Sequence, residues 1–101
     1  MLSIEVKSFS AITKEELYEM LQLRSEVFVV EQDCVYQDID YKDQKALHVL
    51  GKKEGKLVAY TRIFNSGDYF DNPSIGRVVV KTEERKFGYG HTIMKASIEA
   101  I

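Results

Sequence analysis

The run Ile75-Gly76-Arg77-Val78-Val79-Val80 leads within a few residues to Arg85-Lys86-Phe87-Gly88-Tyr89-Gly90. The first segment is β-branched and apolar and reads as a strand. Beyond the second, Ile93, Met94, Ile98 and Ile101 recur at helical spacing, so a helix begins near Gly88. A strand that enters a helix through a basic, glycine-containing turn constrains the chain to a sheet with helices packed on it. It also creates a place for an anion. The first N–H groups of a helix lack intrahelical partners and carry partial positive charge, which suits them to phosphate or diphosphate. Other phosphate-binding signatures do not match. A P-loop needs G-x-x-x-x-G-K followed by Ser or Thr, and a dinucleotide fingerprint needs a third glycine where this chain has Ile93. The bland alternative is that Gly88 and Gly90 only make the turn.

The remaining elements follow from periodicity. Leu2, Ile4 and Val6 alternate with polar residues as in a half-buried strand. Thr13 and Glu16 form a capping box, with Ile12 and Leu17 placed as a hydrophobic staple. Leu17, Met20, Leu21, Val27 and Phe28 give a helix from about Lys14 to Val27, its stripe read as core. The acidic segment from Glu31 to Asp43 has neither period and reads as a loop with a solvated face. Leu47–Gly51 and Leu57–Phe64 form an antiparallel hairpin in which Gly55 takes positive φ, and Ser74–Val80 follows after a turn-rich segment containing Pro73. The order is β-α-loop-β-β-β-α with a largely antiparallel sheet, an α/β (α+β) class.

At 101 residues, 45% of them apolar, the chain suffices for one small domain with a single core. A net charge of −2 argues against a nucleic-acid partner. No apolar run approaches the roughly 20 residues that span a bilayer, so no membrane association is expected. Met1 to Lys7 lacks a basic leader and long apolar segment, so no export signal is expected, and the single Cys34 fits a reducing cytoplasm. Asp38, Asp40 and Asp43 lack the central Gly and terminal Glu of a calcium loop, and no metal is expected.

The spacing Arg85-x-x-Gly88-x-Gly90 after the strand resembles the acetyl-coenzyme A motif of the GCN5-related N-acetyltransferases, the GNAT superfamily. Leu23-Arg24-Ser25-Glu26-Val27-Phe28-Val29-Val30-Glu31-Gln32, the following Tyr36-Gln37-Asp38-Ile39-Asp40, and Leu57-Val58-Ala59-Tyr60-Thr61-Arg62-Ile63 resemble its ElaA-type branch. The likeness covers nearly the whole chain. It implies the N-terminal two-thirds of an acyl-CoA N-acyltransferase fold, with residues 1–101 an incomplete domain lacking the family's C-terminal strands and helix. Lys86 departs from the glycine that many members carry after the motif arginine.

The resemblance implies an acetyl-CoA-dependent N-acetyltransferase that transfers acetyl directly to an amine. Arg85, Lys86, Phe87, Gly88, Tyr89 and Gly90 would hold the diphosphate. Main-chain groups of Val78, Val79 and Val80 would pair with the pantetheine arm, and the Val79 N–H would donate to the oxyanion. An alkylammonium is not nucleophilic until it loses a proton, which asks for a general base. Glu31 is the preferred candidate, with His48 and His91 the others. Cys34 is read as an ordinary thiol. The acceptor is a small-molecule or protein amine, and the unfinished sheet edge makes a homo-oligomer the expected assembly. The alternative is a non-catalytic coenzyme-A-binding or protein-interaction module.

Overall fold

A computed structural model describes residues 2–33, 37–69 and 71–101. Four strands, β1 (Ser3–Ser8), β2 (Leu47–Lys53), β3 (Lys56–Phe64) and β4 (Ser74–Val80), form one sheet in the order β1-β2-β3-β4. Every neighbouring pair is antiparallel. The helices α1 (Lys14–Ser25) and α2 (Tyr89–Ala100) complete the expected order. The hairpin between β2 and β3 turns through Glu54 and Gly55, both at positive φ (54° and 81°). That is the two-residue I′ geometry whose twist matches paired strands.

Each face of the sheet carries one helix. Met20 and Leu23 of α1 pack with Leu50, Leu57, Tyr60 and Val79 on one side. Tyr89 and Ile93 of α2 pack with Val49, Val58, Ala59, Ile63 and Val80 on the other. Strand β3 is therefore buried on both faces from Leu57 onward, Thr61 and Arg62 being the polar residues in an otherwise largely apolar strand. A buried hydroxyl pair ties α2 to it. Ser97 Oγ donates to the Ile93 carbonyl at 2.7 Å, so Thr61 supplies the proton of the bond between Thr61 Oγ1 and Ser97 Oγ. Val79 and Val80 face opposite cores, while Val78 is exposed at the outer strand.

The α1 N-terminus has the expected capping box, in which Thr13 Oγ1 accepts from the Glu16 N–H and Glu16 Oε1 accepts from the Thr13 N–H. Glu16 does more than cap. Its buried carboxylate also accepts from Lys7 Nζ at 2.9 Å and Lys52 Nζ at 2.6 Å, pinning the helix to β1 and β2. The far end of α1 departs from expectation. The helix does not stop near Val27 but widens into a π-helical turn over Glu26–Glu31.

The acidic segment needs the larger correction: most of its described residues are exposed as expected, but Asp38 and Asp43 are buried and Asp40 is half-buried. Arg24, fully buried on α1, donates from Nε to Asp38 Oδ2 at 3.0 Å and from Nη1 to Asp43 Oδ1 at 2.9 Å. Arg62 of β3 also reaches Asp43 Oδ1, at 2.9 Å, and grips Asp40 through two bonds of 2.8 Å. Arg77 of β4 donates to Asp38 Oδ1 at 2.8 Å and Asp40 Oδ2 at 3.3 Å. Burial alone would raise the Asp40 carboxyl, but the Arg62 bonds outweigh it and hold the group at about 2. A solvated loop needs only polar residues; this one is polar because it answers buried guanidinium groups.

Two measurements test these anchors. Arg24→Met leaves Asp38 and Asp43 without their shared partner, and is expected to lower the unfolding free energy by about 3–5 kcal/mol in urea titration. Burial raises the Glu16 carboxyl, but bonds from Lys52, Thr13 and Lys7 bring it from 4.5 to about 2. A carboxyl depressed by folding stabilises the native state above its unfolded value, and this is lost as pH falls through the folded value. Glu16→Gln should therefore cost about 1–2 kcal/mol at neutral pH, with the gap to the unaltered chain narrowing by pH 3.

Candidate functional site

Between the π turn and the end of β4 lies an open cleft of about 390 Å³. One wall is Val27, Phe28, Glu31 and Gln32; the other is Val78, Val79, Val80, Arg85 and Gly90. The second wall collects Val78, Val79, Val80, Arg85 and Gly90 of the residues singled out in the sequence, while Lys86, Phe87, Gly88 and Tyr89 are not part of it.

Strand β4 offers its outer edge to this cleft. Its pairing with β3 slips between Tyr60 and Arg62, where Arg77 adopts φ 50°. Such a β-bulge bends the strand and increases its twist. Beyond the bulge the ladder is regular, with Val79 opposite Tyr60 and Val80 opposite Ala59. The Lys81 N–H bonds to the Val58 carbonyl at 2.8 Å. Antiparallel pairs alternate, so Val79 turns its N–H and C=O toward Tyr60 and Val80 turns its own outward. The assignment of the Val79 N–H as a donor to substrate is therefore corrected: it is committed to the sheet, and the outward donor is Val80. The outward Val80 carbonyl is capped by Arg85 Nε at 3.0 Å.

The basic turn is a 3₁₀ helix over Thr82–Phe87, ended by Gly88 in the left-handed region (φ 75°, ψ 19°). Gly88 then serves as N-cap of α2 without a side chain to cover the first N–H groups. A side chain at 88 would be strained by that φ. Gly90 differs, because a Cβ there would meet only Val80 Cγ2, at an ordinary 3.8 Å. Packing within the protein does not demand glycine at 90, although the residue lines the cleft. Tyr89 is buried against the α2-face core and does not line the cleft. Phe87 is half exposed, with Lys53 Nζ 4.2 Å and Lys86 Nζ 5.3 Å from its ring centroid.

Glu31 reaches across from the opposite wall. Arg85 Nη1 donates to its Oε2 at 2.7 Å, Arg85 Nη2 to Oε1 at 3.0 Å, and Thr82 Oγ1 to Oε1 at 2.7 Å. These bonds, Arg85 foremost, hold the carboxyl below its ordinary value. A carboxylate held by a guanidinium is a weakened base, so this geometry does not favour the general-base assignment of Glu31.

The other candidates lie elsewhere. His48 is fully buried in β2, remote from the cleft wall in role. Its Nε2 bonds the Asp43 carbonyl at 2.9 Å and must carry the proton, so Nδ1 accepts from the Tyr60 hydroxyl. Burial lowers its pKa, and burial raises that of Tyr60. This is a structural histidine. His91 is exposed on the first turn of α2. Asp38, Asp40 and Asp43 spend their carboxylates on arginines. Cys34 lies outside the described residues. Sequence reasoning missed Arg24 and Arg62 as interior anchors. The available signal was phase: Arg24 stands four residues after Met20 and three before Val27, inside the apolar stripe.

The geometry has close counterparts. The chain superposes on a crystal structure of an acyl-CoA N-acyltransferase from Pseudomonas aeruginosa with a TM-score of 0.93 at 38% identity, over 99% of this chain and 70% of that one. Against the crystal structure of Escherichia coli ElaA the TM-score is 0.92 at 41% identity, over 99% and 69%. The fold is thus that of the acyl-CoA N-acyltransferases. The sequence profile of the acetyltransferase (GNAT) family matches residues 14–101, and the chain belongs to that family. ElaA of Escherichia coli is 45% identical over 92 residues, which are 89% of this chain and 60% of that protein. A UPF0039 protein of Schizosaccharomyces pombe is 42% identical over 99 residues, 97% of this chain and 65% of its own length. The chain therefore spans 60–65% of the length of these relatives.

Because Gly90 has room for a Cβ, Gly90→Ala is expected to be tolerated. It should raise stability by about 0.5 kcal/mol through the lower backbone entropy of alanine in a helix, measured as a higher urea midpoint.

Proposed function

We propose that this chain carries the coenzyme-binding part of an acetyl-CoA-dependent N-acetyltransferase acting on an amine. One observation carries the reading. The outward Val80 N–H, the Arg85 fork and the glycine-bounded start of α2 share one wall of a single cleft.

These residues suit the parts of the coenzyme in turn. The N-terminal amides of α2, uncovered by any capping side chain, suit the diphosphate, with Arg85 and Lys86 adding positive charge. The freedom for a Cβ at Gly90 supports a glycine kept for close approach of a ligand, since the protein's own packing does not need it. The outer edge of β4 suits an amide-bearing arm lying alongside it like an added strand. When bound, acetyl-coenzyme A would supply an activated acyl thioester. Val80, directing its N–H into the cleft, is the main-chain group placed to donate to developing negative charge, a role in which one donor is typically worth about 3 kcal/mol.

The π turn forms the facing wall, and the segment it leads into is stiffened by the Arg24, Arg62 and Arg77 pairs. That segment is the proposed boundary of the acceptor side. The acceptor is proposed only as an amine, of small-molecule or protein origin. Because the chain spans 60–65% of its relatives' length, a non-catalytic coenzyme-binding module is the second reading.

Calorimetric titration of acetyl-CoA tests the first requirement. The chain should bind it, Gly90→Val should abolish binding with the fold retained, and Arg85→Ala should weaken it by about 1–3 kcal/mol. Thiol release across a panel of amines then separates the readings. Turnover with any amine favours the enzyme, and binding without turnover favours the module. Equal affinity in the Gly90→Val variant would remove the assignment.

A further inference from the structure

Arg85 is the cation most directly presented to the cleft, yet its fork is already filled. Glu31 takes Nη1 and Nη2 in a bidentate arrangement and takes the Thr82 hydroxyl as well. Nε, turned away, holds the Val80 carbonyl. A carboxylate and a phosphate present the same pair of oxygens to a guanidinium. The Glu31 carboxylate thus stands in for two oxygens of a phosphoryl group.

The reach across the cleft has its own structural cause. Glu31 ends the π turn, whose Gln32 N–H closes on the Val27 carbonyl at 3.2 Å. A π turn takes up about one residue more than an α turn, which rotates the face that follows by roughly 100°. Had α1 continued as an ordinary helix, residue 31 would have pointed elsewhere. The distortion and the ion pair are therefore two views of one arrangement.

We infer that Glu31 is an internal ligand of the anion site, occupying Arg85 and Thr82 in the free protein and giving way when a diphosphate binds. The inference rests on the proposed reading of this cleft as a coenzyme site. Its consequence is an exchange: the entering anion takes the Arg85 fork, and the Glu31 carboxylate moves off because two like charges cannot share it. Glu31 lowers affinity for the anion twice over, by competing for the fork and by repelling the charge. It also couples the site to the opposite wall, since Glu31 is the last residue of the π turn and its release removes the Arg85 and Thr82 bonds from that end. A residue expected to withdraw a proton from the acceptor becomes one that holds the coenzyme anchor in place until it is needed.

The test is calorimetric titration of coenzyme A, and separately of inorganic pyrophosphate, into the unaltered chain, Glu31→Gln, Glu31→Ala, Arg85→Ala and the Glu31→Gln/Arg85→Ala pair. Both Glu31 variants should bind each probe about 3- to 10-fold more tightly, the effect of one competing hydrogen-bonded charge. In the Arg85→Ala background the gain from Glu31→Gln should shrink toward nothing, because the contested fork is gone. Unchanged or weaker binding by the Glu31 variants overturns the inference while leaving the coenzyme reading intact. An equal gain in both backgrounds also overturns it, since that is simple charge repulsion. If no variant binds coenzyme A while circular dichroism shows a folded chain, the coenzyme reading fails and the inference falls with it.

Discussion

A fully buried guanidinium, that of Arg24, governs how the rest of this chain is arranged. A charge removed from water must find partners close by, and Arg24 finds Asp38 and Asp43. Those carboxylates lie in a segment without regular strand or long helix, so the charge requirement alone pulls that segment against the sheet. Arg62 and Arg77 extend the network from α1 to β3 and β4, through Asp40 and again Asp38. Asp38, Asp40 and Asp43 are thereby tied to α1, β3 and β4 at once. Asp43 also brings its carbonyl to His48, which orders the imidazole and the Tyr60 hydroxyl beneath it.

This network bears on the cleft through β4. Arg77 reaches Asp38 from a bulged, positive-φ position, and the bulge sets the register of the residues after it. Val79 then faces one core and Val80 the other, and alternation turns the Val80 main chain outward. The Arg85 bond to the Val80 carbonyl fixes the basic turn against the strand end. The orientation of the cleft's donors is thus a consequence of packing on both faces of one thin sheet. Family membership places this geometry among acetyltransferases.

The two walls of the cleft meet through the apolar cluster that holds Val27 and Val79 at its floor, and through charge at its mouth. The Glu31–Arg85 pair is exposed on both sides, the kind of contact that water and salt screen readily. That weakness is what the proposed displacement of Glu31 by an anion requires. The buried Arg24 pairs, by contrast, are screened little and hold a shape. The same chemistry, guanidinium against carboxylate, is strong in the interior and weak at the surface, and the difference is dielectric.

Much of this was legible from residues near one another in the chain. Thr13 and Glu16 announce a cap, and Glu54 and Gly55 sit in a two-residue turn. The valines ending at Val80 announce a strand, and Gly88 and Gly90 a helix start beside a basic turn. Each of these follows from local backbone preference and short-range hydrogen bonding. Only the tertiary structure decided the rest. Arg24 meets Asp43 across 19 residues and Glu31 meets Arg85 across 54, separations at which no periodicity links the partners. Whether an acidic residue faces water, a buried guanidinium or a cleft depends on which surfaces the sheet brings together. A carboxylate carries no mark of its partner, because Coulomb attraction acts on proximity in space and the chain alone does not state that distance.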